Sequence, residues 1–194
     1  VQGALAVPQI VDALGVLGVQ TLDDGEALLT HLEWRRPRHA VVVGGGYIGL
    51  EMAEALVRRD MAVTVIDQAR QPMTTLDPDM GEMVHRAMED LGIDVHTDTT
   101  VKGFDSDGAG RVRSVVTTDG SVPADVVVLG TGARPNTALA DAAGLPLGDH
   151  GGIRTDVQMR VLGHDHLWAG GDCVEVLNLV SGQYQHVPLG THAN

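Results

Sequence analysis

Four glycines and a carboxylate carry the strongest chemical signal in this chain. Gly44-Gly45-Gly46-Tyr47-Ile48-Gly49 fits G-x-G-x-x-G, a spacing suited to a dinucleotide pyrophosphate. Gly44 allows a tight turn, Gly46 lets the backbone approach the phosphates, and Gly49 lets helix and strand pack closely. A helix that begins here offers free amides and a partial positive charge to an anion. Asp67 lies 18 residues beyond Gly49, close to the roughly 20 at which a carboxylate accepts hydrogen bonds from an adenosine ribose. Its charge repels a 2′-phosphate, which favours NAD(H) over NADP(H), although Arg70, three residues on, can relieve part of that repulsion.

Two further glycine turns end apolar runs. Gly130-Thr131-Gly132-Ala133-Arg134-Pro135-Asn136 follows Val126–Leu129, and ligand contacts in an open parallel sheet come from the carboxyl ends of strands. By its residues alone the turn is either a wall of the same crevice, through Thr131 and Gly132, or an ordinary Gly-Pro turn. Trp168-Ala169-Gly170-Gly171-Asp172 is likewise either a second ribose or ribitol contact or a plain turn.

The elements that must position these residues can be read from hydrophobic period. His39–Val43 is a β-branched run, Tyr47–Arg59 has helical period, and Ala62–Ile66 supplies the next strand. Together they form one right-handed βαβ unit. Asp77-Pro78 opens a second helix as N-cap and first helical residue, Gly92 ends it, and Met80, Met83, Val84, Met88 and Leu91 fall at core-face spacing. The methionine stripe is read as core, because no metal-ligating cluster accompanies it. Val101–Asp107, Arg111–Thr118 and Val122–Leu129 are broken by Asp107-Gly108 and Asp119-Gly120, both hairpin signals. The predicted fold is α/β: a Rossmann-like doubly wound parallel sheet with a small antiparallel insert. Residues 1–33 and those after about Ile153 differ in character and carry no glycine fingerprint. They read as flanks of another domain, with Arg35-Arg36-Pro37-Arg38 as a polar crossing.

Composition narrows the partners. The chain has 194 residues, 43% of them hydrophobic, with 13 Lys and Arg against 26 Asp and Glu, a net charge of −13. Such a balance argues against nucleic acid, whose affinity comes largely from basic residues that release counterions, and against an anionic membrane surface. No run approaches the roughly 18 apolar residues of a membrane span. Cys173 stands alone, so no intrachain disulfide can form, and a cytoplasmic location is expected. The first residue is Val1 and the last five are Gly190-Thr191-His192-Ala193-Asn194, which prompts the expectation that this is a piece of a longer protein.

Taken in order, Val41-Val-Val-Gly-Gly-Gly-Tyr-Ile-Gly-Leu-Glu51, Gly130-Thr-Gly-Ala-Arg-Pro-Asn136 and Ala169-Gly-Gly-Asp172 resemble the FAD-dependent pyridine nucleotide–disulfide oxidoreductases. The likeness covers nearly the whole chain. The ending Val187-Pro-Leu-Gly-Thr-His-Ala-Asn194 is most similar to the branch of coenzyme A-disulfide reductases, NADH oxidases and NADH peroxidases. The resemblance implies an NAD(P)H-binding domain at 34–152, inserted between an FAD-domain remnant at 1–33 and a returning FAD-domain segment at 153–194. It further implies that Glu51 is the acid near the nicotinamide, that Asp172 holds the FAD ribitol, and that Leu189, Gly190 and Thr191 start a helix facing the flavin. Gly3-Ala4 with Pro8 resembles the end of the first FAD segment.

Two departures matter. The family's FAD glycine motif and its redox cysteine are expected upstream of Val1, and Val161-Leu162 stands where a threonine is common. The resemblance thus leaves no catalytic residue in this chain, and Cys173 matches no family nucleophile. The function it implies is hydride transfer from NAD(P)H to FAD and on to a small-molecule disulfide, thiol or oxygen acceptor, in a protein that is a homodimer when full-length. The fragment alone is expected to be inactive. The alternative is a non-enzymatic NAD(H) sensor or docking module. A flavin-independent dehydrogenase finds no substrate domain here.

Overall fold

The computed structural model describes residues 14–188. Leu189, Gly190, Thr191 and the Gly3–Pro8 segment lie outside them. The chain divides after Gly132 into two compact units.

The first unit is organised by valine. Val41, Val42 and Val43 in β2 (His39–Val43) and Val126, Val127 and Val128 in β8 (Val126–Leu129) are at most 4% exposed, as expected of β-branched runs covered on both faces. With β1 (Val16–Gly18), β3 (Ala62–Ile66) and β4 (Asp94–His96) they form a parallel sheet of order β1-β8-β2-β3-β4. Alternate residues point to opposite faces. Ala40, Val42, Val63, Val65, Val126 and Val128 meet Leu28 and Leu32 of α1 (Leu22–Arg35), Ala53 and Leu56 of α2 (Tyr47–Val57) and Met88 of α3 (Pro78–Asp90). On the other face, Val41, Val43, Ile66 and Val127 meet Val112, Val115 and Ala124. That second layer is the antiparallel insert, β5 (Val101–Ser106), β6 (Val112–Thr117) and β7 (Ser121–Pro123). The insert, and not a second set of helices, covers this face.

Several differences from the sequence reading have simple causes. Val122–Leu129 holds two strands, β7 and β8, because Asp125 breaks the run. Its Oδ2 accepts the amides of Arg38 (2.9 Å) and His39 (3.0 Å), which fastens the start of β2 to the start of β8. Residues 16–33, which the sequence assigns to the flank, join this unit: β1 pairs with β8 from Val16↔Val127 to Gly18↔Leu129. A capping box fixes the start of α1, with Thr21 Oγ1 accepting from the Asp24 amide at 3.1 Å and Asp24 Oδ2 accepting from the Thr21 amide at 2.9 Å. In α3, Met88 is buried and Val84 half-buried, while Met80, Met83 and the C-cap residue Leu91 are exposed. The helix turns only one edge of its apolar arc to the sheet.

The second unit holds α4 (Ala138–Ala142) and a small sheet of order β11-β10-β9, made of β9 (Ile153–Arg154), β10 (Val174–Leu177) and β11 (Tyr184–Gln185). The boundary falls before Ala133, so residues 133–152 pack with the segment that follows them. At the centre sits Glu175, fully buried, whose Oε1 accepts the amides of His150 (2.7 Å) and Gly152 (3.0 Å).

Candidate functional site

Register brings the first three signals together. Val43 of β2 pairs with Ile66 of β3 and with Leu129 of β8, so the next residues, Gly44, Asp67 and Gly130, leave adjacent strands at one carboxyl edge. The ladder continues one step: the Gly44 amide donates to the Ile66 carbonyl (2.8 Å) and the Gly130 amide to the Val43 carbonyl (2.9 Å).

Three glycines then meet backbone to backbone. Gly44 has φ +107°, and a β-carbon on it would stand 2.5 Å from the Gly130 carbonyl oxygen. One on Gly130 would stand 2.9 Å from Gly49 Cα, and one on Gly49 would overlap the Gly44 carbonyl. Only glycine permits this junction, which sets α2 hard against the carboxyl ends of β2 and β8.

The start of α2 is left open. Gly46 is its N-cap, with no side-chain cap and no acidic residue in the first turn. The amides of Gly46, Tyr47 and Ile48 find no acceptor among the described residues. Gly46 and Tyr47 are exposed, and a β-carbon on Gly46 would meet nothing within 4 Å. Unpaired helix amides facing open space are what an anion requires. Ile48 is half-buried; Glu51, one turn along, is exposed and has no ion-pair partner among the described residues.

Asp67 closes the loop from the other side. Its Oδ2 accepts the Gly45 amide at 2.5 Å and its Oδ1 the Ala69 amide at 2.7 Å. The Gly45 carbonyl takes the Met73 amide at 2.8 Å. Gly45 is thus held at both ends of its peptide, and the residue that looked like the free position of the motif braces it. The motif gives no hint of this, since x tolerates any residue type. Gly130 is a further member of this junction that the expected contacts do not include, and its place directly before Thr131 and Gly132 is the sequence signal for it. Thr131 and Gly132 are exposed, Gly132 with φ +90°.

Asp172 belongs to the second unit. Its side chain is exposed and makes no hydrogen bond or ion pair among the described residues, while its carbonyl interacts with His186 Nε2 at 2.8 Å. Gly171 before it has φ +84°. An uncommitted carboxylate after a left-handed glycine fits a hydroxyl-rich ligand such as a ribitol chain. Cys173 is half-buried, its Sγ donating to the Asn136 carbonyl at 3.6 Å. No group of three metal-ligating side chains occurs among the described residues, and none of their helices is long and apolar enough to cross a membrane.

A family model described as pyridine nucleotide-disulphide oxidoreductase matches residues 3–191. The chain is 36% identical to an NADH oxidase of Methanocaldococcus jannaschii over 183 residues, which cover 94% of this chain and 40% of that protein. The structure of an NAD-dependent persulfide reductase from A. fulgidus superposes with TM-score 0.86 and 38% identity, covering 96% of this chain and 35% of the other. A FAD-dependent pyridine nucleotide-disulphide oxidoreductase from Desulfovibrio vulgaris gives TM-score 0.80 and 38% identity, over 95% of this chain and 46% of the other. The chain therefore spans less than half the length of each.

Proposed function

Since the chain belongs to the pyridine nucleotide-disulphide oxidoreductase family, we propose that it is the NAD(P)H-binding portion, with part of the FAD domain, of an enzyme that passes hydride to flavin and on to a disulfide, thiol or oxygen acceptor. The observation that carries this reading is the Gly44–Gly49–Gly130 junction, which leaves the α2 amides unpaired beside a carboxylate. In this reading residues 34–152 are the inserted domain and 153–194 the returning FAD-domain segment, whereas the compact units divide after Gly132.

Each residue has a share in the work. The Gly46, Tyr47 and Ile48 amides bind the pyrophosphate, and Gly44 and Gly49 hold the helix close enough for the backbone to reach it. Asp67 accepts from the adenosine ribose and braces Gly45, which favours NADH over NADPH. Thr131 and Gly132 form the opposite wall, and Glu51 orders the nicotinamide end. Asp172 holds the ribitol of FAD, which supplies a two-electron acceptor when bound. Full-length, the protein is read as a homodimeric cytoplasmic flavoenzyme; this chain alone binds NADH and is inactive. The relatives carry enzyme names, so a non-enzymatic sensor gains no support.

The test is a visible spectrum and an NADH titration of the 194-residue chain. A colourless protein that binds NADH in a 1:1 ratio supports the reading. Stoichiometric yellow flavin, or unaided NADH oxidation, contradicts the proposed division between domains.

A further inference from the structure

The loop after β3 carries a cation whose pairing bears on cofactor choice. Arg70 lies three residues beyond Asp67, and its Nε is 3.9 Å from Asp98 Oδ1. Asp98 belongs to the segment after β4 and is fastened to the same loop by backbone bonds: its amide donates to the Ala69 carbonyl (2.9 Å), and the Thr99 amide to the Asp67 carbonyl (3.0 Å). Asp98 adopts φ +52°, a left-handed conformation in which Asp and Asn are the favoured non-glycine residues. The backbone thus presents the Asp98 carboxylate to the loop. Arg70 is otherwise the group at this edge suited to a phosphate, since a guanidinium binds phosphate oxygens through paired N–H donors.

We infer that Asp98 is a specificity-determining residue, whose carboxylate beside Arg70 partly neutralises the guanidinium and so competes with the 2′-phosphate of NADPH for it. The inference rests on the reading of Asp67 as the ribose-binding carboxylate. Selectivity then has two layers: Asp67 repels the phosphate, and the nearby Asp98 carboxylate offsets the charge of the cation that could receive it. Because the pair is exposed, its effect is modest.

The test uses the 194-residue chain and fluorescence titrations with NADH and NADPH on four proteins: wild type, Asp98→Asn, Arg70→Ala and the double variant. Asparagine keeps the left-handed backbone and removes only the charge. The expected result is that Asp98→Asn shifts the NADPH-to-NADH affinity ratio toward NADPH about fivefold, and that in the Arg70→Ala background the same change shifts it less than twofold. That difference isolates the pairing from the loss of a negative charge near the site. An unchanged ratio, or an equal shift with and without Arg70, overturns the inference while leaving the site intact. Failure of the wild type to bind either nucleotide overturns the site reading and the inference together.

Discussion

The carbonyl oxygen of Gly130 stands 2.5 Å from the place where a β-carbon on Gly44 would be. Residues 86 positions apart in sequence are thus in backbone contact at the carboxyl ends of neighbouring strands, and Gly49 closes the triangle from the first turn of α2.

That triangle makes Gly49→Ala costly. The new methyl group meets the Gly44 carbonyl, which is backbone in a left-handed turn and cannot yield as a side chain would. Overpacking of this kind costs about 1–3 kcal/mol, and the loss should lie at the upper end. Urea unfolding measures it, with Gly108→Ala, whose β-carbon meets open space, as a control expected within about 0.5 kcal/mol of wild type.

The ribose contact proposed for Asp67 and its observed bonds to the Gly45 and Ala69 amides are separable by substitution. Charge-assisted hydrogen bonds are worth about 1.5–3 kcal/mol, so Asp67→Ala should weaken NADH binding by roughly tenfold to a hundredfold. NADPH should also lose affinity, though less, because the Gly45 and Ala69 amides lose their acceptor for either ligand. Calorimetry showing equal losses would assign Asp67 to loop bracing alone.

Acid stability follows from the clip between β2 and β8. Burial raises the Asp125 carboxyl, but the Arg38 and His39 amides and the His39 imidazole outweigh it and hold it below the usual carboxylate range. A carboxyl depressed in the folded state contributes stability above its unfolded pKa, near 4, and loses it as pH falls through the folded value. The gap in urea midpoint between wild type and Asp125→Ala should be full at pH 6 and shrink below about pH 4. A gap independent of pH would show that the clip contributes nothing through its charge. Asp107 is lower still, at about 2, held by the Arg111 amide and guanidinium. Asp107→Ala therefore serves as a second acid-limb control, its gap persisting to lower pH.

Glu175 tests the second unit. Oε1 accepts two amides while Oε2, also buried, has no hydrogen-bond partner among the described residues. Glutamine keeps the acceptor and removes the buried charge, so Glu175→Gln should cost less than about 1 kcal/mol, against about 2–4 kcal/mol for Glu175→Ala. Trp34 and Trp168 are the two tryptophans, so fluorescence in a Trp34→Phe background reports on this unit. Equal losses would mean that the carboxylate's charge, and not its acceptor oxygen, holds the 148–152 loop.

The legible parts were those written in local period. His39–Val43 and Ala62–Ile66 appear as strands with the boundaries read from sequence, and α2 and α3 begin where glycine and proline indicated. What stayed hidden depends on distant partners. Val16–Gly18 is too short to declare itself without β8 beside it. The Asp67 bond to Gly45 spans 22 residues, and the Asp98 approach to Arg70 requires the β3–β4 pairing. Met80 and Met83 have core spacing, yet only three-dimensional packing decides which edge of the arc is covered.

Gly46→Val tests the central claim most directly. The position has φ −82°, which valine adopts readily, and open space around its β-carbon. Folding stability should therefore change by less than about 1 kcal/mol, the scale of losing a favourable N-cap. The isopropyl group would nevertheless stand where a pyrophosphate must approach the α2 amides. NADH titration of wild type and variant, with urea midpoints measured alongside, should show saturable 1:1 binding to the wild type and a loss of more than about tenfold in a variant that remains folded. NADH binding to folded Gly46→Val as tight as to wild type would contradict the assignment of this loop to the pyrophosphate.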